Sequence, residues 1–160
     1  MASLENKVVW VTGASSGIGK GIIQALHSKN VKLILSSRRQ EALEDVKNNC
    51  ANQENVRVLP IDLSQPESLE GKTKKAIELF GRVDIVIHSG GISQRSFAMD
   101  TDIEVARKLM EVNFFSTIII TKTLLPFMIK NGFGHIVPIS SLVGKFGTPY
   151  RSSYAASKHA

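Results

Sequence analysis

The feature that constrains this chain most is an alternation: short apolar, β-branched runs take turns with amphipathic stretches of helical period along the whole sequence. The runs at 7–12, 31–36, 56–61, 84–88 and 135–140 read as strands. Between them, 17–29, 40–49, 65–80 and 102–130 read as helices, the first carrying Ile18, Ile22, Ala25 and Leu26 on one face. Pro66 suits the first turn of its helix, and Asn131-Gly132 stops the long one. A sixth helix begins near Ser152. Strand–helix alternation with right-handed crossovers gives an α/β fold, a doubly wound parallel sheet. Ligands of such sheets bind outside the carboxyl ends of the strands, where the strand order reverses. Pro138 is at odds with its strand, because proline removes a ladder donor.

Thr12-Gly13-Ala14-Ser15-Ser16-Gly17-Ile18-Gly19 links the first strand to the first helix. Glycine lets the backbone turn tightly and come close to a phosphate, and the free amides of a helix start attract its charge. The spacing is Gly-x3-Gly-x-Gly, not the Gly-x-Gly-x2-Gly of the common dinucleotide fingerprint. By itself such a turn reads equally well as a plain connector. Between the first strand and first helix of an α/β pattern it is a nucleotide signal, with Gly13, Ser15, Ser16, Gly17, Ile18 and Gly19 as the contacting residues.

The end of the second strand selects between cofactors. A carboxylate there would bind a ribose 2′-hydroxyl and favour NAD(H), whereas basic residues pair with a 2′-phosphate. This chain has Ser36-Ser37-Arg38-Arg39-Gln40, with no acid until Glu41. NADP(H) is therefore expected in preference to NAD(H), with Ser37 and Arg38 on the phosphate. The plainer alternative is an arginine pair solvated at a helix start.

Tyr154 and Lys158 stand four apart at the start of the sixth helix, on one face. A nearby ammonium favours the phenolate, which suits a proton donor to a carbonyl. A Tyr-x3-Lys pair alone is commonly just two solvated neighbours. Here Ser140-Ser141 ends the fifth strand and Tyr154 follows Ser141 by 13 residues, which brings a hydroxyl, a phenol and an ammonium to one rim of the sheet. Asn113 lies in the apolar helical stretch Val112-Asn113-Phe114-Phe115. It reads either as a satisfied core amide or as a backbone distortion that holds a water for a proton relay.

In this order and spacing, Thr12-Gly-x3-Gly-Ile-Gly19, Asp62, Asn113, Ser141 and Tyr154-Ala-Ala-Ser-Lys158 resemble the short-chain dehydrogenase/reductase family over essentially the whole chain. The stretches 124–130 and 150–160 are most similar to its member 7B type and bacterial relatives. The resemblance implies a Rossmann-like fold, with this chain supplying strands one to five of a normally seven-stranded sheet. Residues 1–160 are then expected to be an NAD(P)-binding domain incomplete at its C-terminus, with little turnover alone. It also implies hydride transfer between NADP(H) and a small carbonyl or alcohol substrate, in a protein that is a homo-oligomer at full length. Tyr154 would be the acid/base, Lys158 would hold the nicotinamide ribose and tune Tyr154, Ser141 would polarise the substrate oxygen, and Asn113 would belong to the relay. Asp62 and Leu63 would contact the adenine, and no metal is called for. Where the family has Asn-Asn-Ala-Gly, this chain has His88-Ser89-Gly90-Gly91. Ser89, Gly90 and Gly91 would still let the backbone pass the cofactor, and His88 is expected to be structural. A non-catalytic dinucleotide-binding module and an oligomerising scaffold are the alternatives.

Charge and composition bear on the partners. Lys and Arg number 20 against 14 Asp and Glu, a net charge of +6. The basic residues are dispersed, clustering only at Arg38-Arg39 and around Lys72, Lys74 and Lys75, without the interleaved aromatics of a nucleic-acid footprint. The lone Cys50 can form no internal disulfide, which fits a reducing compartment. No unbroken apolar run reaches the ~20 residues of a membrane helix. The longest, 116–128, is interrupted by threonines, Lys122 and Pro126. The opening Met-Ala-Ser-Leu-Glu-Asn-Lys lacks the apolar core of a signal peptide. A cytoplasmic protein without nucleic-acid or membrane partners is expected, with an anchor or leader on a longer natural chain left open.

Overall fold

The computed structural model describes residues 4–160; the first three residues of the opening stretch read for a leader lie outside the described residues. Five parallel strands form one sheet: β1 (Val8–Thr12), β2 (Lys32–Ser36), β3 (Val56–Val58), β4 (Ile85–His88) and β5 (His135–Pro138), in the order β3-β2-β1-β4-β5. The helices are α1 (Gly17–Leu26), α2 (Gln40–Asn48), α3 (Pro66–Phe80), α4 (Ile103–Met110), α5 (Ser116–Lys130) and α6 (Ser152–His159). The expected α/β doubly wound sheet is present, and its order reverses between β1 and β4.

β1 is buried along its whole length, as its unbroken Val-Val-Trp-Val run requires of a strand covered on both faces. Trp10 stands opposite Ile34 and Val86. On that face α3 brings Leu69 and Ala76, and α5 brings Ile120, Leu124 and Met128. On the other face Val9, Val11, Leu33 and Leu35 meet Ile23 of α1 and Leu43 and Val46 of α2. Fully burying each such Leu or Ile stabilises the fold by about 1.5–3 kcal/mol. Two buried polar groups are satisfied inside the sheet. The Trp10 indole N–H donates to Ser36 Oγ at 2.8 Å, and Asp84 accepts from the Val8 amide at 2.8 Å while pairing with Arg82 at 3.0 Å.

Element ends depart from expectation for local reasons. α1 stops at Leu26, not near residue 29, and a turn follows in which the Lys29 amide donates to Leu26 O. β3 ends at Val58 because Pro60 has no amide to give, although Leu59 and Ile61 still donate to Leu35 O and Ser37 O. Pro138 closes β5, two residues before the expected end. The β5 amides that reach β4 belong to alternate residues, with His135 donating to Asp84 O and Ile139 to His88 O. Position 138 falls out of phase with them, so its nitrogen faces the open edge of the sheet and no ladder bond is lost.

The stretch read as one long helix is continuous, but it contains a π-helical turn at Glu111–Phe115. The result is a helix from Ile103 to Lys130 of 28 residues, with a mean hydropathy of 1.6 in its most apolar window. By length and composition it could cross a bilayer. The apolar run is interrupted by Lys122 and Pro126 as read from the sequence, and the helix continues through both, as expected for 102–130. In the fold, Ile120, Leu124 and Met128 face the sheet, while Ile118, Phe127 and Ile129 stay exposed.

Candidate active site

A cleft of about 360 Å³ opens over the carboxyl ends of β1, β2 and β4, at the reversal of strand order. Gly13, Ser15, Ser16, Gly17 and Ile18 form one wall, Ser37, Arg38, Asp62 and Leu63 a second, and Ser89, Gly90 and Gly91 a third. Of the residues expected to contact a nucleotide from the glycine turn, Gly19 is the one that does not line it. It sits beneath the turn, where a Cβ would come within 2.3 Å of Gly13 O. Gly13 is required for two reasons: its φ is +67°, and a Cβ there would lie 2.7 Å from the Gly90 amide nitrogen. No side chain caps the start of α1, so its first amides stand free along the cleft wall.

The electrostatics of the second wall are mixed. Burial works against the charged form of Asp62, but hydrogen bonds from the Ser64 amide and hydroxyl, with the charges of Arg38 and Lys108, outweigh it and hold the carboxyl below its usual value. Arg39, Ile61, Ser64, Ile92, Lys108 and Val112 also line the cleft and were not anticipated. Lys108 projects from α4, far in sequence from every glycine motif. Its one sequence signal is its place one helical turn before Val112, itself next to Asn113.

None of the four residues expected to be catalytic lines the cleft, and two of them, Asn113 and Lys158, stand just beyond it against Gly91. Gly91 is the hinge between the two parts. A Cβ on it would lie 3.1 Å from Asn113 Oδ1 and 3.7 Å from Lys158 Nζ. Asn113 occupies the middle of the π turn, where the widened backbone turns its amide toward the loop after β4. Oδ1 accepts from the Ile92 amide at 2.9 Å, and Nδ2 donates to Ile92 O and Ser157 Oγ, each at 2.9 Å. The amide is thus a satisfied side chain at the centre of a local helix distortion.

Lys158 is half-buried and donates to Ile139 O at 3.0 Å. Burial lowers its pKa from the ordinary lysine value. Ser141 follows β5 and starts a short 3₁₀ turn, accepting from the Val143 amide at 3.4 Å. Tyr154 lies in the first turn of α6, and the Arg151 guanidinium stands 5.5 Å from its ring centroid. His88 ends β4 in a buried position, with Nε2 3.1 Å from Thr121 Oγ1. Burial pushes its pKa down to about 4, so it is a neutral tie between the sheet and α5. Among the described residues, no cluster of His, Cys, Asp and Glu is arranged to hold a metal ion.

The family profile described as short chain dehydrogenase matches residues 7–160. Dehydrogenase/reductase SDR family member 7 of Homo sapiens is 46% identical over 98% of this chain, and member 7B of Mus musculus 41% over 99%. The chain spans about half the length of these curated relatives, 48% and 51%. Among solved structures, a short-chain dehydrogenase from Streptomyces avermitilis superposes with a TM-score of 0.92 at 32% identity, covering 98% of this chain and 57% of that one. ElxO with NADP bound superposes at 0.89 and 29% identity, over 97% of this chain and 63% of that one.

Proposed function

This chain belongs to the short-chain dehydrogenase family, whose members are oxidoreductases, and from that premise we propose that its full-length protein interconverts a carbonyl and an alcohol with NADP(H). One observation carries the reading: Gly91 lies in the cleft wall, with Asn113 Oδ1 and Lys158 Nζ both against it, so a ligand filling the cleft ends at the catalytic side chains. The residues present fit a dinucleotide. Glycine backbone and free helix-start amides suit a pyrophosphate, and Ser37, Arg38, Arg39 and Lys108 suit a 2′-phosphate. The NADP bound to ElxO, a structural neighbour, is consistent with that choice.

When bound, the dihydronicotinamide supplies a hydride to the carbonyl carbon. Tyr154 gives its hydroxyl proton to the carbonyl oxygen as that oxygen gains charge, and Ser141 donates a hydrogen bond to the same oxygen. Lys158 holds the nicotinamide ribose and favours the tyrosinate that remains. Asn113 steadies the end of the relay that returns a proton to Tyr154. Asp62 and Leu63 border the adenine. The partner is a small carbonyl or alcohol compound, and the assembled protein is a homo-oligomer. The exposed Ile118, Phe127 and Ile129 support that assembly.

The test is Tyr154→Phe in the full-length protein. Turnover should vanish while NADPH still raises the melting temperature, and undiminished turnover would sink the assignment. NADPH should stabilise the protein more than NADH does, and Arg38→Ala should narrow that gap. Equal shifts in the unmodified protein would count against the role given to Ser37 and Arg38.

A further inference from the structure

The loop entering α6 carries a feature that hydride transfer does not require. Arg151, three residues before Tyr154, is half-buried, and its guanidinium lies 5.5 Å from the Tyr154 ring centroid. One N–H donates to Ser93 Oγ, which fixes the side chain across the gap between α6 and the loop after β4. The rest of its N–H fork meets no protein acceptor among the described residues. The exposed Arg95 stands 6.0 Å from the ring of Tyr150, the residue that precedes Arg151. Tyr150 itself adopts φ +65°, a costly conformation for a bulky residue, and the Ser96 amide holds it there by donating to its carbonyl at 3.0 Å. Among the described residues neither Arg95 nor Arg151 forms an ion pair, since the ion pairs present engage Lys47, Lys74, Arg82 and Arg107.

Ser93 and the Tyr154 ring compensate only part of the hydration that this half-buried cation loses, and an anionic ligand would supply the missing charge. A guanidinium fork matches carboxylate and phosphate geometry with paired hydrogen bonds. We infer that Arg151, assisted by Arg95, is the specificity determinant for a carbonyl substrate bearing an anionic group next to the reacting carbon. This inference rests on the reductase reading given above. It does not concern the cofactor phosphates, for which Arg38 and Lys108 of the cleft would be suited, since Arg151 does not line that cleft.

The experiment compares phenylglyoxylate, benzoylphosphonate and the neutral methyl ester of phenylglyoxylate as substrates of the full-length protein with NADPH. In Arg151→Gln, kcat/KM for the preferred anion should fall about tenfold to a hundredfold further than for the ester, the value of a charge-assisted pair. The loss should lie mainly in KM, and Arg151→Lys should restore part of it. Preference for the carboxylate or the phosphonate tells which anion the fork is built for. Parallel losses on all three compounds, or none, overturn the proposal. Binding is read separately, as saturable thermal stabilisation of the NADP⁺-loaded protein by either anion, absent in Arg151→Gln. If the unmodified protein reduces none of the compounds, the reductase reading fails for them, and the binding measurement still decides the anion site: saturation lost in the variant upholds it, and no saturation overturns it.

Discussion

The side-chain amide of Asn113 donates to the hydroxyl of Ser157 at 2.9 Å, joining the π turn to the helix that carries Tyr154 across 44 residues of sequence. The same amide group closes two bonds with the backbone of Ile92. Asn113→Ala therefore leaves a backbone amide, a carbonyl and a hydroxyl to find other partners. Each group left unsatisfied costs about 1–3 kcal/mol. The urea midpoint should drop clearly, and further than in Ser157→Ala, which removes one of the three contacts. Equal midpoints for the two variants would show that water takes over the Ile92 bonds.

His88 gives a pH dependence of definite sign. Its folded pKa, about 4, lies below the ordinary value of 6.5, so the unfolded chain takes up the proton first. Its contribution is whole above pH 6.5, is lost as the pH falls toward 4, and changes no further below that. Through linkage the loss over this window is about 3 kcal/mol. Urea unfolding at pH 4.5 and pH 7 should show the difference, and His88→Asn should flatten it. A slope as steep in the variant would assign the effect to other groups.

Gly13→Ala tests the close passage of the glycine turn over the loop after β4. The added Cβ would meet the Gly90 amide nitrogen at 2.7 Å, and the φ of +67° adds its own strain of about 1–2 kcal/mol. Dinucleotide binding, followed by calorimetry, should weaken by more than the loss of stability accounts for, because the shift occurs in the cleft wall. Gly21→Ala, where nothing lies within 4 Å of the new Cβ, is the matched control.

The hydrogen bond between Trp10 and Ser36 can be read optically, since the chain has one tryptophan. Ser36→Ala leaves a fully buried indole N–H without its acceptor, at a cost of about 1–3 kcal/mol. The fluorescence of Trp10 should shift to the blue and the unfolding midpoint should fall. An unshifted spectrum would mean the indole finds another acceptor.

The elements legible in the sequence were those whose residues state their own environment. Val8 to Val11 announces a strand covered on both faces, and the glycine spacing announces the turn after it. Tyr154, Lys158, Ser141 and Asn113 are singled out by order and spacing, and the structure brings two of them, Asn113 and Lys158, together at Gly91. What stayed hidden depends on the register of distant segments. Pro138 fits only because alternate β5 residues donate to β4, a phase that no local pattern reveals. Lys108 of α4 lines the cleft although it is far in sequence from the glycine turn, and Arg151 is tied to Ser93 in the loop after β4, 58 residues away. The π turn at Asn113 was foreseen as a distortion, but its form required coordinates.

The sheet order carries a kinetic consequence. β1 pairs with β2 early in the chain, Val9 meeting Leu33, whereas its other edge waits for β4, with Val9 opposite Ile85. The first pairing closes a short loop and the second a much longer one, so the β1–β4 seam is expected to zip last. The glycine turn and Gly90 lie on opposite sides of that seam. Until it closes, the chain has no complete cleft. A dinucleotide would then act as a clasp on the slowest-forming junction, and its saturation would slow unfolding more than it speeds folding.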